Sequence, residues 1–349
     1  MDRWLGTIRR ESTRTLYRDA LITFSTHVHQ SPQEILKHNE EELENLLQEW
    51  KVAMLDRGLA GATVKVRVVA VVQFLKFHRK RMRSMVRDIK TTRTYLDYIP
   101  TRADVQALLD AAKLHHKIIV ALMAFSGLRP VDVSQLQYMH LKRDLERGED
   151  VVTITKKHQK TDEWYFTFLA PQGVRYIRTW LDARREKGET ITPESYIVTR
   201  WDAQPMKRTS VRLAVHRLIR LTVGPNPSGE PFRAFRPYGL RKYFRRGINK
   251  IGGAEAEFLM GHSRGLLSLE ATYSGLRDMD PQAIAALKKK YIEVLPELET
   301  EITDVTLRAQ LEKKEKEREK QAAKFSEIRE ELDEIKDFVR MMRDREKEG

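Results

Sequence analysis

The sequence predicts a mainly α-helical chain with one small β-hairpin: a helical unit over residues 1–90, a mixed α/β unit over 91–299 and a long helical tail over 300–349. Three observations carry this reading. Apolar residues recur at three- and four-residue spacing through most of both units, the mark of helices with one buried face. The period shortens to two only between 150 and 169, where a strand pair fits. In the tail, Phe325, Ile328, Leu332, Ile335, Val339 and Met342 repeat at heptad a/d spacing. A length of 349 residues agrees with two or three domains.

In the first unit, Leu16, Ala20 and Phe24 form one helical stripe. Ser31-Pro32-Gln33-Glu34 is a capping box with proline in the first turn, so a second helix starts there. Leu43, Leu46, Leu47, Trp50 and Met54 form a third stripe, which Gly58 closes as a C-cap. A fourth helix is expected from 62 to about 82, with Val64, Val68, Val71, Val72 and Leu75 inward. Its β-branched content would suit a strand, but its length and charge pattern favour a helix. Lys65, Arg67, Lys76, Arg79 and Lys80 are then expected on one basic face. Residues 83–100 are polar, basic and unpatterned, and read as a linker.

The second unit opens at Thr101, with Asp104 as its capping partner, and continues through the apolar stretch 118–125. Val152 and Ile154, then Trp164, Phe166 and Phe168, alternate around a polar turn and predict the hairpin. Helices resume after Pro171, broken at 188–193, at 224–231 and at Gly252-Gly253. One of them opens with Lys207, Arg208, Thr209, Ser210 and Arg212, placed to meet an anionic partner. In the tail, the nearly all-charged stretch 312–320 precedes fewer than three clean heptads. A coiled coil and an amphipathic helix lying on its own body both remain open there.

Composition narrows the function. The net charge is +14 and the pI about 9.7. Residues 301–349 hold 13 Lys and Arg against 15 Asp and Glu, which leaves 51 against 35 in the first 300. The basic surface therefore belongs to the body, and an anionic polymer is the expected partner. With no cysteine, disulfides, thiolate metal sites and a cysteine nucleophile are excluded. No apolar run approaches the ~20 residues of a membrane span. No apolar segment of a signal peptide follows the N-terminus, so a cytoplasmic, nucleoid-associated prokaryotic protein is expected. Four asparagines among many Lys, Arg and Glu lean toward a thermophile. There is no Walker loop and no His/Cys cluster, so neither cofactor nor metal is expected.

Four motifs then occur in a telling order. Phe125-Ser126-Gly127-Leu128-Arg129-Pro130-Val131-Asp132 presents Arg129 on a turn after an apolar helix. Gln159-Lys160-Thr161 lies at the hairpin turn, Pro237-Tyr238-Gly239-Leu240-Arg241 opens a helix, and Leu259-Met260-Gly261-His262-Ser263 is followed by Tyr273. This series resembles the boxes of the tyrosine recombinases (phage-type integrases), and the first unit resembles their SAM-like core-binding domain. The resemblance covers roughly residues 12–295. It implies a tyrosine recombinase catalytic domain over 91–299 and site-specific cutting and rejoining of double-stranded DNA, through a 3′-phosphotyrosine on Tyr273.

The resemblance also implies the roles. Arg129 and Arg241 would stabilise charge on the phosphate, for which a bidentate, always-charged guanidinium is suited. Lys160 would protonate the leaving 5′-oxygen, and His262 would donate a hydrogen bond to the phosphate. Lys156 and Lys157 compete with Lys160; Arg236, Lys242, Arg245 and Arg246 compete with Arg241; Tyr243 and Tyr291 compete with Tyr273. Tyr291 suits a ring anchor for its helix, with Lys288-Lys289-Lys290 toward solvent or DNA, and Tyr243 suits the core. Two departures stand out. Tyr238 replaces the usual histidine of its box, as in a subset of archaeal plasmid and virus integrases, and the interval from His262 to Tyr273 exceeds the family's usual nine residues.

As a recombinase the chain would clamp the duplex between its two units. It would be a monomer or dimer in solution and a tetramer on DNA, with a helix at about 281–295 docking on a neighbour. A non-catalytic architectural or regulatory DNA-binding protein and a type IB topoisomerase-like relaxer are the alternatives.

Overall fold

Two helices of the N-terminal unit begin where side chains satisfy the free amides of a first turn. The computed structural model describes residues 1–82, 86–91, 96–157, 163–200, 204–224, 232–262 and 275–348. They fall into two compact units, Met1–Thr94 and Tyr95–Gly349. The first contains α1 (Asp2–Gly6), α2 (Glu11–Val28), α3 (Pro32–Ile35), α4 (Glu40–Asp56) and α5 (Gly61–Phe77). Ser31 and Glu34 close a reciprocal capping box on α3, and Asn39 and Glu42 close another on α4. The helix started by the first box is one turn long. Gly58, with φ +75°, takes the left-handed position after α4, and the Leu59 amide donates back to the Met54 carbonyl at 3.1 Å.

The core of this unit gathers Leu21, Phe24, Leu43, Leu47, Trp50, Val64, Val68 and Phe74. Three expectations need correction. Leu16 is exposed, while Ala20 and Phe24 are buried as expected and Leu21 joins them, so the buried face of α2 is centred on 20, 21 and 24. Trp4 and Leu5 of α1 are buried, with Trp4 edge-on to Phe74 at 5.2 Å, so the core begins before residue 12. Finally, α5 ends at Phe77, beyond which Arg79 is left-handed and the Lys80 amide donates to the Leu75 carbonyl. Arg79 and Lys80 thus lie past the helix, and Lys80 Nζ donates to the His38 carbonyl at 2.7 Å. Arg67, two residues from Lys65, points about 200° away from it around the helix axis. Only Lys65 and Lys76 share the expected basic face.

The segment expected as a bare linker is partly structured. Ile89 is buried in the N-terminal core, and Asp88 accepts from the buried Lys51 at 2.6 Å. In the C-terminal unit, β1 (Leu96–Asp97) pairs in parallel with β4 (Phe232–Arg233).

Between those strands run α6 (Arg102–Ala111), α7 (Leu114–Phe125), α8 (Pro130–Ser134), a 3₁₀ turn (Tyr138–His140) and α9 (Lys142–Glu146). The antiparallel pair β2 (Val152–Lys157) and β3 (Trp164–Leu169) follows, in the register Val152↔Leu169 and Thr155↔Phe166. Then come α10 (Pro171–Glu186) and α11 (Arg208–Thr222). After β4 lie α12 (Tyr238–Gly247), a 3₁₀ turn (Ile248–Ile251) and α13 (Gly253–Leu259). The chain closes with α14 (Pro281–Glu293), α15 (Leu295–Leu298) and α16 (Asp304–Glu348).

Helix α7 is the axis of this unit. Residues 118–125 are all buried, as an unbroken apolar run requires, and α6, α10, α11, α12 and β3 pack around it. Strand β3 is also enclosed on both faces: Tyr165 to Leu169 are buried, whereas Trp164, expected inward, is exposed. Helix α14 turns Leu287 and Tyr291 into its own unit, as the ring-anchor reading of Tyr291 expects. Of its basic triplet, Lys288 pairs with Glu149 at 3.0 Å and Lys290 with Glu255 at 2.8 Å.

The start of the tail also belongs to this core. Buried Glu299 accepts from the Gln172 amide at 2.6 Å and from Thr303 at 2.9 Å, and Thr306 donates to it too. Beyond Gln310, α16 is solvent-exposed as far as its side chains are described, with Phe325 70% and Ile328 52% exposed. Among the described residues no helix is long and apolar enough to cross a membrane.

Candidate active site

Three turns converge beside α7. The first is its own C-terminal exit. Gly127 holds φ +66°, and a Cβ there would lie 2.3 Å from Phe244 Cδ1, so the position needs glycine twice over. The chain then enters α8 with Arg129 as N-cap and Pro130 in the first turn. Asp132 accepts from the Arg129 amide at 3.2 Å and stands 3.9 Å from its guanidinium. Arg129 Nη2 reaches across to the Gly261 carbonyl at 3.3 Å.

The second turn leads into α12. Arg241, one turn inside that helix, is 2% exposed. Its Nη1 donates to the Gly127 carbonyl and its Nη2 to the Met260 carbonyl. Its Nε has no hydrogen-bond partner among the described residues. Burial, together with the nearby Arg129 charge, lowers the guanidinium to about 10, still protonated at neutral pH.

The third turn leaves α13. Gly261, with φ +58°, sits against the ring of Tyr165, where a Cβ would come within 3.0 Å of Cε2. Its carbonyl accepts from Arg129, and that of Met260 accepts from Arg241, which also donates to Gly127. His262 follows, with Nδ1 2.6 Å from Glu257 Oε2, while Arg245 Nε donates to Glu257 Oε1 at 3.3 Å. Burial holds the His262 imidazole below its usual value; Arg241 and Arg129 push the same way, and Glu257 opposes them.

The structure thus brings Arg129, Arg241 and His262 together around one tight turn. Tyr238 opens α12, is 50% exposed, and lines a cleft of about 560 Å³ with Arg129, Arg208, Arg212, His216 and Arg236. Lys207, Arg208, Thr209 and Arg212 are exposed at the start of α11 and Ser210 is half-buried, so that basic helix end meets the arginine turn in one cleft. Lys160 and Tyr273 lie outside the described residues.

Several competitors are buried or already paired. Lys156 is 4% exposed and pairs with Asp132 at 3.2 Å, a packed ion pair rather than a mobile acid. Lys157 is exposed, with its Nζ 5.6 Å from the Trp164 ring centre. The Tyr291 hydroxyl donates to the Phe125 carbonyl, and burial raises it well above the ordinary phenol value. The Tyr243 hydroxyl donates to the Leu298 carbonyl at 2.8 Å, and burial raises it to about 12. Lys242 pairs with Asp97, and Arg246 donates to the Pro100 carbonyl at 2.9 Å. Asp132, His216 and Glu257 adjoin these residues although the motifs did not single them out, and Arg236, weighed against Arg241 in the sequence, lines the cleft. Asp132 had a readable signal, its capping position three residues after Arg129. Among the described residues no group of His, Asp and Glu is placed to hold a metal ion.

No family model matches the sequence, and no curated protein matches it. Solved structures do match the fold. The Tn1549 transposon integrase in complex with transposon right-end DNA superposes with a TM-score of 0.54 at 15% identity, over 76% of this chain and 90% of that one. A lambda integrase dimer bound to a COC′ core site gives 0.53 at 13% identity, over 75% and 92%. XerH bound to a palindromic difH substrate gives 0.51 at 14% identity, over 72% and 71%. With its helical N-terminal unit, small antiparallel hairpin and arginine-bearing turns around a buried helix, the chain has the fold of the tyrosine recombinases and integrases.

Proposed function

We propose that this chain is a tyrosine site-specific recombinase, cutting and rejoining double-stranded DNA without metal or ATP. The observation that carries the reading is the meeting of Arg129 and Arg241 on successive carbonyls of the Met260-Gly261 turn, with His262 next to them. Two like charges held this close call for an anion between them. A scissile phosphate fits, since charge grows on its non-bridging oxygens during in-line attack. The Tyr273 phenolate oxygen bonds to phosphorus as the bond to the 5′-oxygen breaks, and Lys160 protonates that oxygen. The protein–DNA ester conserves the bond energy for rejoining. Tyr238, half exposed at the cleft, serves as a hydrogen-bond donor to phosphate.

Duplex backbone is held by Lys207, Arg208, Thr209, Ser210 and Arg212 on α11, by Arg236, and by Lys65 and Lys76 on α5. Active assemblies are tetramers on paired DNA sites, and the distal heptads of α16 pair protomers. The chemistry is tested by trapping a covalent adduct on a nicked duplex, which Tyr273→Phe abolishes. Adduct formation by that variant would refute the assignment. The tail is tested by removing residues after 310, so that the buried Glu299–Thr303–Thr306 cluster stays whole. A mass by light scattering unchanged by the truncation, with and without DNA, would discard the pairing.

A further inference from the structure

The third turn holds a side-chain relay that the proposed chemistry leaves unused. Glu257 stands between His262 and Arg245, with one carboxylate oxygen 2.6 Å from Nδ1 and the other accepting from Arg245 Nε at 3.3 Å. Burial works to raise that carboxyl, but the contacts with His262 and Arg245 outweigh it and hold it below its usual value. An ionised carboxylate has no proton to give, so the hydrogen of this contact belongs to Nδ1. The neutral imidazole then carries a bare Nε2. It accepts a proton there and cannot donate a hydrogen bond to phosphate, as the motif resemblance implied. Donation would require the imidazolium, which burial and the charges of Arg241 and Arg129 disfavour.

We propose that Glu257 is a positioning residue that fixes His262 in the Nδ1–H form and so makes its Nε2 the proton acceptor of the site. The proposal rests on the strand-transfer reading above. In cleavage the phenolic proton of the nucleophile passes to Nε2, and the Glu257 carboxylate offsets the imidazolium that forms. The phenolate oxygen bonds to phosphorus, the bond to the 5′-oxygen breaks, and that oxygen takes its proton from the lysine. On rejoining, Nε2 returns the proton to the departing phenolate. Arg245 keeps Glu257 ionised and aimed, which is the part a serine-hydrolase carboxylate plays for its histidine. Among the described residues, the charged groups acting on His262 are Glu257 from α13, Arg241 from α12 and Arg129 from the turn before α8, with Arg245 of α12 reaching Glu257 from its other side.

The test uses the full chain, labelled with ¹⁵N-histidine, as wild type and as Glu257→Gln. Long-range proton–nitrogen correlation at neutral pH is expected to show His262 with Nδ1 protonated and Nε2 bare. In Glu257→Gln the His262 titration moves to lower pH. The acid limb of adduct formation on a nicked duplex moves the same way, and the plateau rate falls about 10-fold or more. Glu257→Asp, which keeps the charge, recovers part of the shift. A proton on Nε2 in the wild type would overturn the proposal, as would a Gln variant with His262 titration and acid limb unchanged. If the wild type forms no adduct, the tautomer and its titration still decide the Glu257–His262 pairing, and the recombinase reading alone fails.

Discussion

Replacing Lys156 by methionine separates packing from chemistry on the hairpin. Lys156 Nζ lies 3.2 Å from Asp132 Oδ1 and 3.3 Å from the Asp132 carbonyl, with both side chains withdrawn from water. Methionine fills the alkyl path and leaves the carboxylate without its cation. Breaking a buried pair from one side costs about 3–5 kcal/mol. Asp132 keeps the Arg129 amide at 3.2 Å and the guanidinium at 3.9 Å, so the expectation sits at the low end, about 3 kcal/mol. In a unit of this size that lowers the melting temperature by roughly 6–12 °C. Calorimetry and urea unfolding of the full chain measure the loss. Adduct formation, run well below the midpoint, is expected to survive in Lys156→Met and to fall about 10²–10⁴-fold in Lys160→Ala. A destabilisation under about 1 kcal/mol, the range of an exposed pair, would refute the buried-pair argument. Loss of cleavage in a folded Lys156→Met chain would move the acid role from Lys160 to Lys156.

Gly127→Ala combines a left-handed backbone with a clash against Phe244, for a loss of about 2–5 kcal/mol by urea unfolding. Because Gly127 also presents the carbonyl for Arg241, adduct formation is expected to fall even at low temperature. Tyr291→Phe strands the Phe125 carbonyl and is expected to cost about 1–3 kcal/mol while leaving adduct formation intact, which would set it apart from Tyr273→Phe. His116, whose imidazole burial lowers to about 4 with help from His115, Lys113 and Arg217, is neutral in the folded unit. Its depressed value means stability present above pH 6.5 and lost as pH falls from there toward about 4. A His116→Phe chain is expected to show a flatter loss of melting temperature across that window.

Much of the fold was legible because it obeys local rules. The capping pairs Ser31/Glu34 and Thr101/Asp104, the all-apolar run of α7 and the period-two hairpin each announce themselves within a few residues. What escaped depends on distant partners. Nothing near Leu96 signals that it pairs with Phe232, and nothing in Trp4-Leu5 signals a place in the core. Trp164 and Tyr165 exchange their expected sides because β3 is covered on both faces, where alternation carries no information. The site divides in the same way. Arg129, Arg241 and His262 stand out by motif, whereas Glu257 is visible only once a helix end folds a residue five positions away back onto the imidazole.

The anchoring of Arg241 has a further consequence for how the site answers its surroundings. A guanidinium tied down by carboxylates arrives already neutralised, and its substrate must compete with those acids. Arg241 is tied down by two backbone carbonyls, so its position is fixed while its full charge stays available. Asp132 acts on it without a hydrogen bond, so an anion that enters the turn is the first to bond it directly. Sulfate or pyrophosphate are therefore expected to act as simple competitors of the proposed DNA cleavage, and the ionic make-up of the surrounding medium would throttle the proposed strand exchange with no change in shape.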